Sequence, residues 1–64
     1  MLHGMQLLTA GDAQAALTEF ERVLKIAPDL AVAYRYAGVA AAKLGEFDVA
    51  HDYLVLALHY DNAD

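Results

Sequence analysis

Gly45-Glu46-Phe47-Asp48-Val49-Ala50-His51-Asp52-Tyr53-Leu54 repeats, 34 residues on, the layout of Gly11-Asp12-Ala13-Gln14-Ala15-Ala16-Leu17-Thr18-Glu19-Phe20. Glycine opens each stretch, alanine holds the same inner place (Ala16 and Ala50), and a large apolar residue closes it (Phe20 and Leu54). The same shift aligns Gly4 with Gly38, Leu24 with Leu58, and Val23 with Ala57. Such a period describes a helix–turn–helix unit used twice. Gly4 and Gly38 fall inside the helices, where glycine costs about 1 kcal/mol relative to alanine. Each therefore implies close approach of a neighbouring helix, with Ala16 and Ala50 as the expected small surfaces opposite.

Apolar residues recur at spacings of three and four, not two, so the chain reads as all-α with four helices. A short first helix precedes Gly11. Gly11-Asp12 is a stop followed by an N-cap, because an Asp carboxylate accepts the unpaired amide hydrogens of the next turn. The second helix runs from about Ala13 to Ile26, with Ala13, Ala16, Leu17, Phe20, Val23 and Leu24 as its buried stripe and Glu21 paired with Lys25 on the wet side. Ala27-Pro28-Asp29 ends it, since proline disfavours helical geometry at the preceding residue. Asp29 is the expected cap of a third helix reaching about Leu44, and a fourth spans about Glu46 to Tyr60.

With 64 residues the chain buries only roughly 60% of its unfolded surface, and without cysteine it has no disulfide to compensate. Its apolar content of 59% exceeds the ordinary ~45–50% and excludes an acidic disordered tail. Up to Gly45 the acids Asp12, Glu19, Glu21 and Asp29 balance Arg22, Lys25, Arg35 and Lys43. The net charge of −5 therefore rests on Glu46, Asp48, Asp52, Asp61 and Asp64. That balance argues against a nucleic-acid binder or a polybasic membrane anchor. No basic leader and no membrane-length apolar run is present. The lack of cysteine fits a reducing compartment, so a cytoplasmic location is expected.

The chain resembles the tetratricopeptide repeat (TPR) family. Its pattern of Trp-x2-Leu-Gly-x2-Tyr, Ala-x3-Phe and Pro is matched by Tyr34-x2-Ala37-Gly38-x2-Ala41, Ala16-x3-Phe20, Pro28 and Ala50-x3-Leu54. Ala37 and Ala41 are smaller than the family's Leu and Tyr, and Asn62 stands where Pro28 would repeat. The resemblance implies one domain over 1–64, a truncated first repeat over 1–30 and a full one over 31–64, arranged as a right-handed superhelix of antiparallel helix pairs. A plain four-helix bundle is the rival arrangement.

The resemblance also implies a concave groove lined by the first helix of each pair. Leu2, Met5, Leu8 and Thr9 would come from the first unit, and Val32, Arg35, Tyr36, Val39 and Lys43 from the second. Met1 and Met5 suit adaptable apolar contact. Some TPR grooves grip a terminal carboxylate with Lys and Asn, but Val39 where an Asn would help argues against such a clamp here. The Leu2–Thr9 stripe suits a seam against another helix equally well.

On the fourth helix, Phe47, Ala50, Leu54, Ala57 and Leu58 are expected to pack on the third. Val49, Tyr53, Leu56 and Tyr60 form a second stripe with heptad spacing, read as a self-association face. In the first unit Glu19 and Arg22 stand where this stripe has Tyr53 and Leu56.

Little points to catalysis. There is no Ser or Cys, Thr9 and Thr18 have no base beside them, and the glycines are isolated. His51 and His59 lack metal-ligand spacing, so no metal or cofactor is expected. His51 stands where the first unit has Leu17, implying a partly buried, pH-sensitive place. Pairs such as Asp48/Asp52 and Glu19/Glu21 read as hydrated faces. The resulting expectation is a non-enzymatic interaction module, a scaffold or adaptor that binds an apolar peptide or helix and forms a homo-oligomer, with no nucleic acid or membrane partner. The rivals are a structural piece of a longer solenoid and a small chaperone shielding a partner's amphipathic helix.

Overall fold

The computed structural model describes residues 2–61; Met1 of the expected groove, and Asn62 and Asp64 of the acidic end, lie outside the described residues. Four helices follow one another: α1 (Leu2–Thr9), α2 (Ala13–Ile26), α3 (Ala31–Lys43) and α4 (Phe47–Asp61), with no strand among the described residues. The extensive contacts run α1 on α2, α2 on α3 and α3 on α4, the last being the largest. Each helix thus packs mainly on its chain neighbour, whereas a closed bundle would also press α1 against α4.

Two of the three links are copies of one another. Gly11 and Gly45 take φ of +89° and +80°, a left-handed conformation that favours glycine. The Gly11 amide donates to the Leu8 carbonyl at 3.1 Å and Asp12 to Leu7 at 2.8 Å; Gly45 donates to Ala42 and Glu46 to Ala41, both at 3.0 Å. These paired bonds are Schellman caps, which satisfy the last carbonyls of α1 and α3. Asp12 is the N-cap of α2, its Oδ1 accepting from the Ala15 amide at 3.3 Å.

The middle link differs, and it corrects the expected start of α3. The Leu30 amide donates to the Ala27 carbonyl at 3.2 Å, so Pro28 and Asp29 are the central residues of a turn. The N-cap falls on Leu30, which makes no side-chain cap bond, and not on Asp29. The Tyr34 hydroxyl pins this turn by donating to the Pro28 carbonyl at 2.6 Å.

The core is built largely of alanine. Ala16, Leu17, Phe20, Ala37 and Ala40 form its centre, with Met5, Leu7, Leu8, Tyr36 and Tyr53 packed against it. Among the described residues Phe20 is the only large side chain that is fully buried. Its ring lies under α1 and stacks on Tyr36 of α3, with centroids 5.7 Å apart.

The two helical glycines do mark close approaches: Gly38 lies against Ala50, as expected, and against Leu54, whereas Gly4 faces the Phe20 ring and not Ala16. A Cβ on Gly4 would lie 2.7 Å from Phe20 Cε1, and one on Gly38 would lie 2.9 Å from Leu54 Cγ and 3.3 Å from the Ala50 carbonyl oxygen. Gly4 is to Phe20 as Gly38 is to Leu54, across the same 34-residue period. The neighbours differ in freedom, because Phe20 is enclosed and Leu54 is 41% exposed. Gly4→Ala should therefore lose about 1–2 kcal/mol despite the gain in helix propensity, while Gly38→Ala should lose less, because Leu54 can swing outward although the Ala50 carbonyl stays in place. Denaturant titration followed by circular dichroism checks this order, and equal losses would refute it.

Candidate functional site

The outer face of α4 is apolar and bare. Phe47 is 70% exposed, Leu54 41% and Leu58 64%, with Val55 beside them. Their spacing of seven and four places them on one side of the helix. In the first unit the same register positions are Ala13, Phe20 and Leu24. There Ala13 and Phe20 are buried, at 8% and 0% exposure, and Leu24 is half-buried. One face has therefore been used twice, covered in the first unit and open in the second.

This arrangement corrects the expected packing of α4. Of the stripe assigned to α3, only Ala50 and Ala57 are buried; Phe47, Leu54 and Leu58 stand outward. The cause lies in the small residues of α3. Ala33, Ala37 and Ala41 are fully buried, and the helices close on them through the alanines of α4, leaving long side chains at the margins. His51, expected to be partly buried, is exposed on the same side, its Nδ1 3.8 Å from Asp52 Oδ1.

The stripe read as a self-association face is divided. Val49 and Leu56 are exposed, but Tyr53 and Tyr60 pack within the chain. Tyr60 stacks on Tyr34 of α3 with centroids 5.4 Å apart, and Tyr53 lies 6.1 Å from the same ring. The Tyr53 hydroxyl donates to Glu21 Oε2 at 3.0 Å, joining α4 to α2. A half-buried tyrosine needs an apolar wall and a polar partner for its hydroxyl, and this side of α4 supplies both. Glu21 is thus engaged by Tyr53 and not by Lys25.

The groove residues separate in the same way. Met5, Leu8 and Tyr36 are half-buried against the common core. Leu2, Thr9, Val32, Arg35, Val39 and Lys43 are exposed. The Thr9 hydroxyl donates to the Met5 carbonyl at 3.1 Å, within its own helix.

Sequence reasoning missed a cleft of about 570 Å³ lined by residues of α2, α3 and α4, among them Glu21, Arg22, Lys25, Tyr34 and Tyr53. No periodic signal pairs Glu21 with Tyr53, so the pattern alone could not find it. Arg22 Nη1 sits 3.4 Å from Glu19 Oε1. The Thr18 hydroxyl on the rim donates to the Gln14 carbonyl at 3.1 Å. Aromatic faces with both signs of charge suit a polar side chain of a peptide; a nucleophile with an adjacent base is not what these contacts form. Among the described residues no group of three or more His, Asp or Glu is placed to hold a metal ion, and no helix is long and apolar enough to cross a membrane.

Compared with protein families, with curated proteins and with solved structures, the chain matches none.

Burial, reinforced by the hydrogen bond to Glu21, pushes the Tyr53 phenol up to about 12 from its ordinary 10.0. A phenol raised on folding contributes stability below about pH 10 that is lost as the pH climbs toward 12. Tyr53→Phe should therefore flatten the fall in stability between about pH 9 and 11.5, measured by denaturant titration. An unchanged slope would show that this contact does not govern the alkaline limit.

Proposed function

We propose that this chain is a non-enzymatic protein-interaction module built from TPR-like antiparallel helix pairs, a scaffold or adaptor that acts by burying apolar helical surface. The observation that carries this reading is the outer face of α4, where Phe47, Leu54, Val55 and Leu58 stay in water. Covering a large apolar side chain is worth about 1.5–3 kcal/mol, so these residues supply a driving force for association. The repeated Schellman caps and the paired glycine contacts support the TPR-like reading, and packing between chain neighbours fits a superhelical row. The exposed part of the groove, from Val32 to Lys43, offers a second, more basic surface. A cytoplasmic setting agrees with the lack of cysteine.

A structural role within a longer solenoid is the second reading. It is favoured by the same face, because the equivalent face of α2 is where the next helix stacks. A chaperone shielding a partner's amphipathic helix would use the face similarly.

A photo-activatable cross-linker at Leu58, compared with one at Gln14 on the exposed side of α2, tests the proposal in cells. Protein adducts at residue 58, to this chain or another, that Phe47→Ser abolishes are the expected result. Equal labelling at both positions would overturn it.

A further inference from the structure

We propose that the bare face of α4 is covered by α1 of a second copy, packed head to tail; this rests on the interaction-module reading and names its partner. The template lies inside the chain. The face of α2 that carries Leu17 and Phe20 is covered by α3, where Tyr36 stacks on Phe20 and Ala37 and Ala40 fill the same cluster. Moving that contact on by 34 residues puts His51 and Leu54 of α4 in the places of Leu17 and Phe20. Moving its other half back by 34 puts Leu2, His3 and Gln6 of α1 in the places of Tyr36, Ala37 and Ala40. Leu2 is 68% exposed, and His3 and Gln6 are exposed beside it. Both halves of the internal contact are therefore displayed again on the two outermost described helices, with His3 Nδ1 3.8 Å from Glu19 Oε2 of α2 at the edge of the α1 half.

Size and charge agree with this pairing. Where the template stacks Tyr36 on Phe20, the new contact sets Leu2 against Leu54, which is smaller. His3 and Gln6 in place of two alanines return the lost volume. The α4 helix carries Asp48, Asp52 and Asp61, follows Glu46 and has no Lys or Arg, whereas α1 contains no Asp, Glu, Lys or Arg. A two-fold pairing of α4 with itself would bring two acidic helices together, and the head-to-tail contact sets the acidic helix on an uncharged one. Such a contact is heterologous, so each added copy leaves one α1 and one α4 open and the row extends.

Light scattering on the full chain, with helicity recorded on each sample, tests this with complementary blocks. Leu58→Glu closes the α4 face, and Leu2→Glu or Gln6→Glu closes the α1 face; all three are exposed positions. Wild type should grow beyond a dimer with concentration. Each variant alone should be monomeric, its dissociation constant raised at least about tenfold. An equimolar mixture of an α1-blocked and an α4-blocked variant should form a dimer and stop there, since one complementary pair of faces remains. A Leu2→Glu or Gln6→Glu protein that still dimerises alone would overturn the proposal in favour of a two-fold α4 contact. Wild type that stays monomeric up to about 1 mM would also overturn it. Cross-links from residue 58 to a different protein would then leave the interaction-module reading standing.

Discussion

Phe20 holds the molecule together by having a helix on either side of it. The space above its ring exists because residue 4 has no side chain, and the surface on its other side is Tyr36. One side chain thereby ties α1 and α3 to α2. Few other large groups are available in the interior, which is mostly alanine. Alanine permits close helix approach at little loss of side-chain entropy but removes little apolar area from water, so the balance of a 64-residue chain stays narrow. The dependence on one ring accounts for a glycine inside α1 in spite of its poor helix propensity.

The second unit repeats this construction with its outer side open. Leu54 takes the place of Phe20 under Gly38, but no further helix lies beyond it among the described residues. The face that serves as core in α2 becomes a surface in α4. Its acidic border gives it an electrostatic character that the first unit lacks. The functional reading grows from this asymmetry between two units of similar design, since single exposed apolar residues would mean little while a face with a buried counterpart means more.

Much of the fold was legible because glycine, proline and Asp12 act through local backbone geometry, which sequence displays directly. The start of α3 was misplaced because Pro28 draws Asp29 into a turn, so a good capping residue was engaged elsewhere. What faces each glycine was legible only in part: Ala50 does lie against Gly38, but a gap in one helix admits a large neighbour as readily as a small one, and Phe20 and Leu54 take the nearest places. On α4 two apolar stripes competed, and periodicity cannot say which turns inward. The choice fell to the hydroxyl of Tyr53, which finds Glu21 of α2, and to the ring of Tyr60, which finds Tyr34 of α3. The same long-range pairing created the cleft that no motif announces.

Because each helix leans chiefly on its chain neighbours, α2 and α3 are held on both flanks, α3 the more extensively, while α1 rests on α2 alone and α4 on α3 with the Tyr53–Glu21 bond to α2. Detaching α1 severs a single contact surface, whereas lifting α3 severs two. The chain is thus loosest at the helix built around Gly4 and firmest at its alanine-rich third helix, and loss of structure proceeds from the margin inward. Covering α4 would turn an outer helix into an inner one, so occupancy of a surface at one end resets which part of the protein opens first.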